Sequence, residues 1–459
     1  MSKRTITGGA AAVLVVLALA AGYRAFMQDV DPITAPIPAA APSSAAEAPG
    51  SLYGRITTGD GATYEGWLRW GGDEEAFWGN YFNGHKDENP WAVHTPIEKL
   101  NEERSPVEIL GFEISLGERP IDLGRPFMAR FGDIVRIEAH GDGVRGVLDN
   151  RIAYDPDVRV TLKSGTTFDL DRLSAGDFDD GVRVWDARRG VVDLGPRQIR
   201  SIEFLHNEQP GAAPARLHGT VRTRQGDFTG FLQWDREEAA GRDVLVGKTA
   251  EGARSVRFDS IRAIARHASG GALVTLLDGR EILLTGTRKV GPGHRGIYVD
   301  DRRYGRVLVS WGAVERVDFS PGGAGPSYGD FPTGHPLRGQ VTTRAGRRLA
   351  GRLVYDLDES ETTETLDAPS RGVDYTIPFG LVASIALIDA GEEADEPATV
   401  TLHNGETLHL ERRGDLGDGN AGMLIFGEGQ EHPEYVPWAD VAQIDLDRPP
   451  AMYPPVDER

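Results

Sequence analysis

The chain contains no cysteine, which removes disulfide staples, thiolate zinc sites and cysteine nucleophiles together. Positive charge is also scarce. Fifty Lys and Arg against 70 Asp and Glu leave a formal net charge of −20, a surface that repels phosphate backbones and anionic headgroups and argues against nucleic acid as a partner. Neither an H-E-x-x-H pair nor a P-loop is present. The 11 histidines stand singly apart from His85 and His94, so no metal site and no cofactor is expected. Aromatics make up only 8% of the chain, and no long apolar run follows the first 26 residues.

What is present begins at the amino terminus. "MSKRTITGGAAAVLVVLALAAGYRAF" (1–26) places Lys3 and Arg4 before an apolar run, the pattern of an export signal. Ala18-Leu19-Ala20 offers a small-x-small cleavage site, while residues 8–26 could equally make a short inner-membrane anchor. Residues 27–50 are rich in Pro and Ala and read as an extended tether. The expected location is therefore outside the cytoplasm, in the periplasm or at the cell surface, with membrane contact only through the amino-terminal segment.

At 459 residues with 58 Gly and 28 Pro, the rest suits many short strands joined by tight turns. An internal repeat organises it. "LYGRITTGDGATYEGWLRWGGDEE" (52–75), "LHGTVRTRQGDFTGFLQWDREE" (217–238) and "LRGQVTTRAGRRLAGRLVYDLDE" (337–359) share Gly54, Gly219 and Gly339, then Gly66, Gly230 and Gly351, then Trp70, Trp234 and Tyr355. Each copy closes on an aromatic followed by aliphatics at three-residue steps, led by Phe131, Phe258 and Phe379, a spacing that fits a 3₁₀ turn feeding a strand. A second half follows, opening with "VTLKSG", "VTLLDG" and "VTLHNG" (160–165, 274–279 and 400–405). Parity fixes the register of these hairpins: a three-residue loop ending in glycine pairs Val160 with Phe168, Val274 with Ile282 and Val400 with Leu408, keeping the apolar residues on one face. The same register puts His403 on an exposed turn.

The expected architecture is all-β: repeat units at 51–207, 215–321 and 335–447, each a pair of small barrels, with a tail at 448–459. The first copy is longer by about 45 residues, an insertion expected at about 79–125. The strand, G-x-L-x-W-D hairpin, aromatic-led turn and closing strand resemble SH3-like or Sm-like small barrels, and the whole resembles exported bacterial repeat proteins. Sm-like proteins commonly bind RNA, but Glu238 and Glu359 stand where an asparagine would grip a base, so that role is not implied here.

The insertion opens with "EEAFWGNYFNGHKDENPW" (74–91), unusually aromatic for this chain. Such rings with neighbouring amides suit a platform for sugar rings or for a partner's apolar side chains. Trp78, Tyr81 and Trp91 are the candidate anchors, and Asn83 and His85 the polar contacts. The competing expectation is that these rings form the insertion's own core or seal the contact between barrels. "TPIEKLNEE" (95–103) reads as a capping box opening a short helix. The acidic runs 169–181 and 355–364 suit solvated loops or oxygen-rich calcium sites. No reactive constellation emerges, so the expected function is a non-catalytic exported binding or scaffold protein of the bacterial envelope, with an envelope protein or a glycan as partner. The alternative is a glycan-acting hydrolase with paired carboxylates. The sequence leaves the ligand and oligomeric state open.

Overall fold

The computed structural model describes residues 50–71, 74–86, 89–95, 107–109, 112–114, 126–139, 144–148, 151–154, 158–170, 177–207, 216–323, 325–387, 397–430 and 432–450. The apolar amino terminus, the tether, the helix expected after Thr95 and the end of the tail lie outside them. Among the described residues no helix is long and apolar enough to cross a membrane. The chain is all-β in several separate sheets, and its described helices are single 3₁₀ turns.

One strand order recurs in three sheets. In the first it runs Thr167–Leu170, Val158–Leu162, Ile134–Ala139, Ile199–Phe204, Tyr53–Thr58, Thr63–Trp70, Val182–Asp186, Gly190–Leu194. The second follows the same order from Glu281–Leu284 to Gly305–Val309, and the third from Thr407–Leu410 to Glu434–Val436. The second sheet gains two more strands, Val373–Pro378 and Thr365–Ser370, because Gly305–Val309 pairs with Val373–Pro378. One core accordingly runs beneath the second and third sheets, and another lies beneath the first.

The hairpins adopt the register that parity requires, with Val160 opposite Phe168, Val274 opposite Ile282 and Val400 opposite Leu408. Their glycines Gly165, Gly279 and Gly405 have φ of +88°, +88° and +89°, the left-handed conformation that a type I turn with a glycine bulge demands. His403 is half-buried rather than exposed, because its backbone amide bonds to the Leu381 carbonyl and draws the turn against the 3₁₀ segment.

Trp70, Trp234 and Tyr355 are buried at the same place in each sheet and meet Phe131, Phe258 and Phe379 at ring separations of 5.5, 5.9 and 5.0 Å. Each ring's polar atom reaches a carbonyl, of Asp177, Lys289 and Asp415 respectively, so burying these amphipathic rings leaves no orphaned donor. The shared glycines face each other across the first hairpin: Gly54 and Gly66, Gly219 and Gly230, Gly339 and Gly351. A methyl group on Gly66, Gly230 or Gly351 would lie 1.9, 2.1 or 2.2 Å from the carbonyl oxygen of Trp185, Asp300 or Phe426. Close approach of neighbouring strands therefore selects glycine there.

One feature of the expected arrangement differs. The two halves of each copy do not close on themselves; the strand that ends the second half lies between the first hairpin and the strand that ends the first half, as Ile199–Phe204 does by pairing with both Tyr53–Thr58 and Ile134–Ala139. Thr63–Trp70 likewise pairs with Val182–Asp186 of the second half. Alternation fixes which face of a strand is buried but leaves the choice of lateral partner open.

Candidate binding site

The aromatic stretch sits where the first sheet meets the other two. Tyr81–His85 pairs with Pro126–Arg130 and corresponds to the hairpins Val244–Thr249 with Gly252–Arg257 and Thr365–Ser370 with Val373–Pro378. Tyr81 and Phe82 thus belong to the shared framework, and the extra residues of the first copy open after Lys86.

Trp78 and Tyr81 are each only 3% exposed. Neither ring is presented as a platform; both are packed between sheets. The Trp78 indole N–H donates to the Asp300 carbonyl at 3.4 Å, and the Trp78 carbonyl accepts from Arg216 at 2.7 Å. Arg216 itself lies 4.3 Å over the Phe231 ring. Arg306 donates to the Gly79 carbonyl, pairs with Asp300 at 3.1 Å and covers the Tyr81 ring at 4.4 Å. Burial pushes the Tyr81 hydroxyl up to about 12, so it stays neutral throughout the physiological range. Phe77 packs on Phe204 and Tyr328, and Phe82 stands edge-on to Trp70.

Trp91 reaches the third sheet. It meets Phe426 at 5.8 Å and lies 5.0 Å beneath Arg352, with His94 also on Phe426 at 5.5 Å. Asn83 is exposed, and its backbone and side-chain N–H groups donate to the Asp177 carboxylate. His85 is half-buried on the same strand. The five candidate residues are therefore not one patch: Trp78 and Tyr81 face the second sheet, Trp91 the third, and Asn83 holds a turn of the first.

Lys86 was not singled out by the sequence. Its ammonium is buried and donates to Asp358 at 2.8 Å and Glu364 at 3.0 Å. Burial disfavours its charge, but Glu364, Asp358 and Glu359 outweigh that and hold it above the ordinary lysine range. The acidic run 355–364 is thus occupied by a lysine from the first copy. Among the described residues no group of His, Asp and Glu stands ready to hold a metal. Sequence offered one signal for the clamp, a lone lysine in an aromatic stretch and a distant carboxylate cluster, with nothing to join them.

The sequence also contains G-x-S-x-G, at Gly325 to Gly329. Its Ser327 is the cap of a 3₁₀ turn, with the hydroxyl bound to Asp330 at 2.8 Å in a capping box. A nucleophile elbow needs a strand-to-helix turn that presents the serine to a histidine, and this serine is committed to a cap.

The face that receives these contacts exists in all three sheets. On the second it is the cross-strand row His218, Phe231, Asp300, Arg306, where Trp78 and Gly79 land. On the third it is Arg338, Arg352, Phe426, where Trp91 lands. On the first it is Tyr53, Trp67, Trp185, Val191. There Tyr53 stands edge-on to Trp67 at 5.6 Å, Trp67 and Trp185 are half-exposed, and Val191 is 57% exposed. An open cavity of about 660 Å³ adjoins the row, lined by Tyr53, Arg55, Glu65, Asp186, Arg188 and Arg189 among others. No protein-family model matches the chain, and comparisons with curated proteins and with solved structures return no match, so its own geometry carries the functional reading.

Proposed function

We propose that the chain is a non-catalytic binding or scaffold protein that acts outside the cytoplasm, carried there by its basic-then-apolar amino terminus. The body comprises three repeats, at 51–207, 215–321 and 335–447, each a pair of small SH3-like barrels. The observed ladders suit barrels that exchange strands: Tyr53–Thr58, Thr63–Trp70, Val182–Asp186 and Gly190–Leu194 with Ile199–Phe204 would form one, and Val158–Leu162, Thr167–Leu170 and the paired strands Tyr81–His85 and Pro126–Arg130 with Ile134–Ala139 the other, linked by a bridge between Lys86 and Leu170.

The observation that carries the reading is the recurring face. Two of its copies are occupied by polypeptide from the first repeat, and the third displays a tyrosine, two tryptophans and an exposed valine, the composition of a recognition surface. The test is a hydrolysis screen of the full chain against envelope glycans, run beside fractionation of cells and mass spectrometry of the mature amino terminus. The expected results are no turnover and a protein found outside the cytosol. Turnover abolished by replacing one pair of carboxylates would overturn the reading in favour of a glycan hydrolase, and a cytosolic full-length protein would overturn the location.

A further inference from the structure

We infer that the edge strand Gly190–Leu194 is a docking site for an extended segment of a partner polypeptide, which adds a strand to the first sheet and sets its apolar residues beside Val192 and Leu194. The inference rests on the binding-protein reading and names its site and its partner class.

The second sheet supplies the precedent. Its counterpart edge, Gly305–Val309, pairs antiparallel with Val373–Pro378, Arg306 opposite Thr376 and Val309 opposite Val373. The equivalent edge of the first sheet ends the ladder, with no further strand among the described residues. A row of unpaired backbone donors and acceptors is a template for another strand. Natural edges are blunted with charge, and here Asp193 is the only charged side chain on the strand. Arg183 holds it in a two-pronged pair at 2.6 and 3.0 Å, turned across the ladder toward the neighbouring strand rather than out from the edge.

The surroundings favour polypeptide over sugar, and one sort of polypeptide. The Trp67–Trp185 pair lies next to Arg69 opposite Arg183 in the register, and Arg69 shares Glu75 with Arg242 of the second repeat. The free row therefore continues an interface the chain already makes. At the far end, the turn before Gly190 exposes Arg188 and Arg189. In the second sheet the corresponding turn residue, Arg303, lies 3.9 Å from Glu406, in the repeat that donates the added strand. An antiparallel occupant would bring its carboxyl-terminal end to Arg188 and Arg189. The partner is thus an extended segment with alternating apolar residues followed by acidic ones.

The probe is a fluorescein-labelled peptide of residues 371–380, which span the strand that fills the equivalent edge, with two glutamates appended at its carboxyl end. Binding to the full chain is read by anisotropy, beside a twin peptide N-methylated at alternate residues. Saturable binding is expected. It should weaken on the order of tenfold in Val192→Lys, whose side chain shares the face of the added strand's apolar residues, weaken several-fold in Arg188→Glu, and vanish for the methylated twin, since main-chain bonds supply affinity at an edge. Absence of saturable binding, or binding unchanged by Val192→Lys or by methylation, would overturn the inference. So would a concentration-dependent dimer abolished by Val192→Lys, which assigns the edge to a second copy, or a glycan bound in a Trp185-dependent way. Each of these leaves the binding-protein reading standing; carboxylate-dependent turnover would instead remove that reading.

Discussion

The Lys86 ammonium lies 2.8 Å from the Asp358 carboxylate, across 272 positions of sequence and in a buried setting. Removing one partner of a buried ion pair strands the other charge in a poorly solvated site. Lys86→Ala is therefore expected to destabilise the chain by about 3–5 kcal/mol, read by urea denaturation. Lys86→Met combined with Asp358→Asn and Glu364→Gln should recover most of the loss; failure to recover would show that the lysine packs rather than pairs.

Acidity should stabilise this region. Burial, with the neighbouring Asp367 charge, pushes the Asp415 carboxyl up to about 8, and burial with the Asp358 charge holds Glu359 well above the ordinary carboxylate range. An acid whose pKa is higher when folded binds its proton more tightly in the native state, so its contribution is complete below the ordinary carboxylate pKa and is lost as pH rises through about 8. Thermal unfolding followed from pH 5 to pH 9 should show a falling midpoint, and Asp415→Asn should flatten the slope.

Trp78→Ala and Trp91→Ala should differ. The first opens a hole between the first and second sheets and is expected to cost about 3–5 kcal/mol, whereas half-buried Trp91 should cost about 1–2 kcal/mol. Equal losses in denaturant titrations would contradict the burial assigned to them.

Gly66→Ala would set a methyl group 1.9 Å from the Trp185 carbonyl oxygen, while Gly59→Ala meets nothing within 4 Å. The first should destabilise by about 1–3 kcal/mol or more by overpacking, and the second should be nearly neutral. Circular dichroism melts of the two variants provide the comparison.

Local features were legible because their causes are local. The Val160–Phe168 register follows from the two-residue period of a strand, and the Phe131, Phe258 and Phe379 turns from three-residue spacing. The shared glycines were legible as markers of the repeat, but the close approach of the neighbouring strand that selects them was not. Lateral choice was not legible: nothing in Thr63–Trp70 says that its neighbour comes from Val182–Asp186 rather than from its own half. The aromatic stretch was legible as a conspicuous feature, and sealing a contact was among its expected roles, but which surfaces receive Trp78 and Trp91 was not legible, since they lie in other sheets. Trp67 points outward and is half-exposed, while Trp70, three positions further along the same strand, is fully enclosed.

The interleaving of strands has a consequence for the order of events when the chain is made. Tyr53–Thr58 finds one lateral neighbour at once, in Thr63–Trp70, but its other neighbour, Ile199–Phe204, is synthesised well over a hundred residues later. Distant pairings of this kind slow folding, because loop closure must come before the contacts that reward it. A nascent chain thus holds the Trp67 hairpin with an unpaired edge through most of the synthesis of its own sheet. Such a chain needs either a protecting factor during that interval or passage to its destination before it folds.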